Sequence, residues 1–295
     1  MSKAISILYD APGPKAKQRN ILYSIVFVLA LAAVAWWIVT MLADKHQLDA
    51  AKWKPFVTDS RVWTTYLLPG LQGTVIAALL SVVIALPIGA IFGIARLSEH
   101  VWIRVPASVV VEFFRAIPVL ILMVFANYFF VHYSSVPLES VALFAIVTGL
   151  VLYNGSVLAE VVRAGILSLP KGQAEAAAAL GMRKTQTMTL IQLPQAVTAM
   201  LPAIVSQLVV IVKDTALGGY ILGYAELLTQ SRTVSNAYSN TIPTLVFIAL
   251  VFIVVNFALS QLASWLENKL RNRTKGNRTT VNPEMVEEQA PGMKM

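Results

Sequence analysis

Five ionisable side chains stand inside or at the edge of long apolar runs: Glu112, Arg115, Glu160, Lys213 and Asp214. On insertion scales such a group costs about 2.5–3.5 kcal/mol at the centre of a membrane-spanning helix, so each needs a partner or a watery cavity. Glu112 and Arg115 are three residues apart and can pair on one helix face, as can Glu160 and Arg163. Arg115 has a second possible use, because a planar guanidinium grips a carboxylate ligand through two parallel hydrogen bonds. Glu160 has the complementary one, holding an ammonium group. Lys213 and Asp214 are adjacent, so on a helix they point about 100° apart and do not pair with each other. Either Lys213 snorkels to an interface and Asp214 caps a turn, or both line a polar pathway. Thr215, Gly218 and Gly219 follow directly. That run predicts an unwound stretch whose backbone groups face a cavity.

None of these groups forms a catalytic constellation. The chain has no cysteine, which removes disulfides, thiolate metal sites and cysteine nucleophiles. His46, His100 and His132 are scattered singly, without the spacing of a metal site. No G-x-x-x-x-G-K-[ST] phosphate loop is present. The chemistry on offer is binding and passage, not bond making.

The elements that position these residues are apolar helices. Of 295 residues 57% are hydrophobic and 13% charged, against about 25% charged in a soluble domain. Crossing a bilayer takes about 20 apolar residues in a helix. Six runs qualify: Ile21–Ala43, Leu71–Ala95, Ala107–Val131, Val141–Ala159 continuing through Glu160, Ala196–Ile221, and Pro243–Trp265. The first is too long for the apolar part of a signal peptide, about 7–15 residues, and reads as a retained span. The expected fold is an all-α integral membrane protein of six transmembrane helices. Its segments are a cytoplasmic 1–20, an additional helix 21–43, an extracellular connection 44–70, the main transmembrane domain 71–268, and a disordered cytoplasmic tail 269–295.

Basic residues orient this arrangement. With the N-terminus cytoplasmic, five of the 23 Lys and Arg fall in the outer segments (Lys45, Lys52, Lys54, Arg61 and Arg232), and Arg115 and Lys213 fall in spans. The other sixteen, Arg96 and Arg104 among them, lie on the inner side. This asymmetry places both termini in the cytoplasm. It also accounts for the net charge of +8 without nucleic acid.

Between spans four and five runs a polar cassette of about residues 170–194. Pro170 and Gly172 break the chain, and Gln173–Leu180 is a short alanine-rich helix. Gly181 sits where a helix is reversed without steric cost. A second helical piece follows, and Pro194 begins a new course. A joining loop needs only a few residues. Two helices with a low alanine surface read instead as a docking element for a cytoplasmic partner.

Glu175-Ala176-Ala177, three residues, Gly181, nine residues, then Ile191-Gln192-Leu193-Pro194 resembles the EAA signature of membrane permeases of bacterial ABC importers. "EFFRAIPVL" (112–120), "AEVVRAGILSLPKGQAEAA" (159–177), "KDTAL" (213–217) and "AELLT" (225–229) resemble the polar amino acid branch, and are most similar to glutamate permeases of actinobacterial type. One departure is Ala216, where that branch often has serine.

The resemblance implies a type I importer permease fold in which the cassette is a coupling helix seated on an ATP-hydrolysing subunit. It implies Glu175, Ala176, Ala177, Gly181, Ile191, Leu193 and Pro194 as coupling residues. Glu112, Arg115, Glu160, Lys213, Asp214 and Thr215 are the candidate substrate pathway. It further implies no cofactor in this chain, with ATP and Mg on partner ATP-binding cassette subunits. The other partners are an identical or homologous second permease, a solute-binding protein on the outer face, an amino acid substrate and the bilayer. An ion-coupled secondary transporter or channel is the competing reading of the same intramembrane charges.

Overall fold

The computed structural model describes residues 13–275. Twelve α-helices follow one another among the described residues: α1 Pro14–Asp44, α2 Ala50–Trp53, α3 Pro55–Thr58, α4 Leu68–Ala95, α5 Val101–Ala116, α6 Val119–Tyr133, α7 Leu138–Leu167, α8 Lys171–Ala179, α9 Lys184–Gln186, α10 Leu193–Leu222, α11 Gln230–Tyr238 and α12 Thr241–Lys275. Five stretches are long and apolar enough to cross a membrane, and α5 with α6 makes a sixth if that bent pair is one span.

Wider π-helical turns, Val62–Leu67 and Thr187–Gln192, lead into α4 and α10. Each ends just before a proline, Pro69 or Pro194. A proline nitrogen cannot donate to the carbonyl four residues back, here Thr65 or Leu190. The turn widens where that bond is missing. The cassette therefore does not restart at Pro194, as its sequence predicts; Lys184–Leu222 runs as one long helical stretch.

The expected third span, Ala107–Val131, is broken. Ile117 is extended (φ −93°, ψ 129°) and α6 leaves α5 at 100°. Pro118 is the cause, since its ring drives the preceding residue out of the helical region. By contrast, α4 and α10 continue through Pro87 and Pro202.

The centre of the fold is the α4–α7 contact. Gly89 and Gly93 of α4 lie so close to α7 that an added Cβ would stand 2.6 Å from the Leu158 Cβ and 2.7 Å from the Ala159 carbonyl oxygen, respectively. Buried Ala77, Met123, Ile146, Leu150 and Ile211 fill the space where α4, α6, α7 and α10 meet. No side chain of α1 is buried, so that helix is apolar and open on all sides.

Residues 44–70, expected as an extracellular connection, form a folded strap. Phe56, Val62 and Leu67 pack on Leu227, Val234 and Ile248. Phe56 stacks on Phe247 with ring centres 4.5 Å apart. The Tyr238 hydroxyl donates to Asp59 at 2.6 Å, and Asn240 donates to the Lys52 carbonyl at 2.9 Å. The segment expected as tail is helical as far as Lys275, and the rest of it lies outside the described residues, as do residues 1–12 of the N-terminal segment.

Candidate functional site

Arg96 caps the C-terminal end of α4, and its side chain is only 8% exposed. It donates to Glu160 of α7 at 2.5 Å and to Glu112 of α5 at 2.8 Å. Arg163 reaches Glu160 at 3.2 Å, and Arg115 stands 3.6 Å from Glu112 and 3.5 Å from Glu160. Three guanidiniums thus share two carboxylates across three helices. The local pairs expected from the sequence exist, but the hub is Arg96, which the sequence places only among the basic residues of the inner side. The available signal was arithmetic: two carboxylates within or at the edge of apolar runs, each with one half-committed arginine, beside an arginine that directly ends an apolar run. A cavity of about 570 Å³ adjoins the network, lined by Glu112, Arg115, Tyr153 and Glu160.

The polar cassette leaves α7 on the same end of the molecule, and Lys184 ties it to Glu99 of the α4–α5 turn at 2.9 Å. That hydrogen bond, with the lysine charge behind it, holds the Glu99 carboxyl below its ordinary range. Alanines favour the short α8. Its end is a Schellman motif: the Met182 amide donates to the Ala177 carbonyl and the Gly181 amide to Ala178. Gly181 takes φ +73°, the left-handed region that a side chain disfavours. The motif reverses the chain and projects Leu180, 82% exposed, at the tip. Glu175, Ala176, Gly181 and Pro194 are exposed; Ala177 is buried against its own chain, and Ile191 and Leu193 are half-buried. The predicted set is therefore divided into an outward face and an inner footing. Leu193 and Met188 form that footing, packed beside Val162, Ile166 and Met200.

Lys213, Asp214 and Thr215 do not sit in an unwound stretch. α10 is helical to Leu222 and stops at Gly223, φ +76°. Gly218 and Gly219 serve close packing instead: a Cβ at Gly218 would stand 2.6 Å from the Met123 sulfur, and one at Gly219 would overlap Glu226. Thr215 is buried and donates to the Val212 carbonyl at 2.8 Å. Lys213 is exposed on a cavity of about 560 Å³ between α10 and α12, with Phe252 and Asn256 opposite. Neither Lys213 nor Asp214 has an opposite charge within 4.0 Å among the described residues. The Asn256 amide donates to the Phe252 carbonyl at 2.8 Å, while its buried oxygen has no donor. The intramembrane charges near the polar cassette are thus paired in a network, and those in mid-helix α10 have no opposite charge within 4.0 Å among the described residues.

Sequence reasoning also missed Glu226, which is fully buried. Its carboxylate accepts the Leu228 amide at 2.7 Å, the Thr229 amide at 2.5 Å and the Thr229 hydroxyl at 2.7 Å, just ahead of α11. Burial pushes this carboxyl up, against those three donors. The segment around it wedges between α4 and α10, where the Thr74 hydroxyl accepts the Leu227 amide at 3.1 Å and glycines at 70, 73 and 219 give it room. "AELLT" carried this feature only as part of a resemblance.

The described residues thus form a bundle of membrane-length helices with an exposed, tightly capped helical cassette projecting from one end, the architecture of a multi-pass membrane protein. Residues 85–272 match the family described as "Binding-protein-dependent transport system inner membrane component". The chain belongs to this family and is a multi-pass membrane permease. The glutamate transport system permease protein GluD of Corynebacterium glutamicum is 49% identical over 249 residues, covering 84% of this chain and 90% of that protein. A probable glutamine ABC transporter permease protein, GlnP of Bacillus subtilis, is 32% identical over 68% of this chain and 92% of its own length. A solved amino acid ABC transporter crystallised with histidines superposes with a TM-score of 0.64 at 27% identity, over 70% of this chain and 95% of that one. The fold also matches the MetNI methionine transporter in an inward-facing conformation, with a TM-score of 0.57 at 20% identity over 72% and 99% of the two chains.

Proposed function

We propose that this chain is the permease subunit of an ATP-driven importer for a polar amino acid, with glutamate the favoured substrate. The 49% identity to a glutamate permease over most of both chains supports the substrate choice. The observation that carries the mechanism is the α8 cassette, footed on α7 and α10 and capped so that Leu180 projects outward. Pull on that tip passes through the short turn at 181–183 into α10, because Lys184–Leu222 is one helical stretch. In this reading the cassette faces the cytoplasm, both termini are cytoplasmic, and partner subunits bind and hydrolyse ATP with Mg. A second permease completes the pathway, and a solute-binding protein delivers substrate to the opposite face. ATP binding favours one state of the spans and hydrolysis the other, a population shift driven by differential binding.

Within the pathway, Arg115, Glu112 and Glu160 act in the first place as members of the Arg96 network. Lys213 is the better substrate contact, since it is a cation on an open cavity that Asn256 also lines, with no carboxylate within 4.0 Å among the described residues. Its ammonium suits the substrate carboxylate, whereas Asp214 points about 100° away along the helix and does not line that cavity. Proteoliposomes holding the complete complex test this. Glutamate uptake is expected only with ATP on the ATPase side and binding protein on the other. Uptake driven by a sodium or proton gradient without ATP would reverse the reading in favour of ion coupling.

A further inference from the structure

We propose that α5 is an interfacial helix, lying in the plane of the membrane on the side of the α8 cassette and seated on anionic phospholipid headgroups. This rests on the geometry of α5 and holds whatever the substrate. α6 runs antiparallel along the spanning helix α7: Met123 meets Gly149, and the Phe130 and Phe144 rings sit edge to face at 6.0 Å. A helix that runs beside a span crosses the membrane. α5 departs from α6 at 100°, so it runs along the membrane surface rather than through it.

The faces of α5 fit that placement. Ala107 and Val111 are buried against the bundle. The opposite face is apolar and open, with Trp102 at 89%, Val109 at 61% and Phe113 at 58% exposure. Spacings of seven and four keep these three on one stripe. A flank between the two faces carries Arg104, Ser108, Glu112 and Arg115 at positions i, i+4, i+8 and i+11. Glu112 and Arg115 are occupied by the Arg96 network, whereas exposed Arg104 has no carboxylate within 4.0 Å among the described residues. An apolar stripe with a tryptophan and a cationic flank is the pattern that sinks into the headgroup boundary and favours anionic lipid. The charge complementarity lies in Arg104, a cation left for a phosphate. The Arg96 ion pairs then fasten this surface helix to α4 and α7.

The absence of native cysteine makes the test direct. Single variants Val105→Cys, Val109→Cys and Phe113→Cys carry nitroxide labels in the full chain, within phosphatidylglycerol nanodiscs. Exposed positions of α6, Ile121→Cys, Phe125→Cys and Phe129→Cys, give the reference for a crossing helix. Collision with oxygen and with a nickel chelate reports depth. The expected result is one shallow depth for all three α5 labels and a graded depth along α6, about 1.5 Å per residue. In phosphatidylcholine discs, or with Arg104→Gln, the α5 labels gain nickel access.

A graded depth along α5 would overturn the placement. Poor access to both reagents would overturn the lipid assignment in favour of a protein contact, such as a second copy of this chain. Equal nickel access in the two lipids would overturn the headgroup assignment. Bromolipid quenching of Trp102, with the other five tryptophans replaced by phenylalanine, gives a second reading if a labelled variant fails to assemble. Stronger quenching by bromines near the headgroup than by deep ones agrees with the proposal, and the reverse order contradicts it.

Discussion

At the cassette end, α4, α5 and α7 are joined by three arginines sharing two carboxylates. At the opposite end, α4, α10, α11 and α12 are joined by a carboxylate locked onto backbone amides, stacked aromatic rings and glycine-seated backbone. The two kinds of joint respond differently to motion. Ion pairs between long side chains can exchange partners as helices slide, because Glu160 already has three arginines in reach. A wedge whose glycines admit no Cβ has one arrangement and loses its packing if it moves. The cassette end is thus built to rearrange within the subunit, and the strap, α11 and the Glu226 wedge are built to move as a block.

Breaking the hub gives the largest expected effect. Arg96→Met leaves two carboxylates without their principal cation; because Glu112 is 60% and Glu160 31% exposed and Arg115 and Arg163 stay in reach, the cost falls at or below the lower end of the about 3–5 kcal/mol for breaking a fully buried pair. A large fall in thermal stability in detergent, with loss of assembly, is expected. An unchanged melting temperature would show that Arg115 and Arg163 suffice, and the hub assignment would fail.

At the other end, Gly219→Ala forces a methyl group into Glu226. Overpacking of this kind costs about 1–3 kcal/mol. This variant is expected to slow transport while leaving ATPase binding intact, as a damaged block remote from the cassette should. Gly181→Ala is expected to cost about 1 kcal/mol, the penalty of a left-handed residue with a Cβ. Its effect on ATP-coupled uptake should be far greater than on stability, because it reaims Leu180.

The smallest effect belongs to Asp59. The Tyr238 hydroxyl, followed by the Arg61 amide, holds its carboxyl below the ordinary range. A depressed carboxyl stabilises the fold fully above the unfolded value, about 3.9. The contribution disappears as pH falls through the lower folded value. Asp59→Asn should therefore be slightly less stable than the parent at neutral pH, with the gap closing in acid. A gap that is constant with pH would mean that the Tyr238 contact does not depend on the charge.

Most of the architecture was legible in residue order, because an apolar run of spanning length has few alternatives in lipid. The cassette was legible for a similar local reason: alanines favour α8, and Gly181 supplies the one left-handed position its reversal requires. The misreadings arose where distant parts meet. Pro118 was visible, but its power to turn a span by 100° depends on what α5 can pack against. Gly218 and Gly219 looked like helix breakers and are instead seats for Met123 and Glu226, 95 and 7 residues away in sequence. Arg96 lies 64 residues from Glu160, a pairing that no local spacing encodes.

In the proposed importer, the tip of the α8 cassette is the handle through which an ATPase moves the spans. The most direct test is photocrosslinking from Leu180→Cys, labelled with a benzophenone maleimide, in the assembled complex. An adduct with the ATP-binding subunit, changed in yield by ATP, is the predicted result. Adducts confined to lipid, to this chain itself or to a solute-binding protein would contradict the claim.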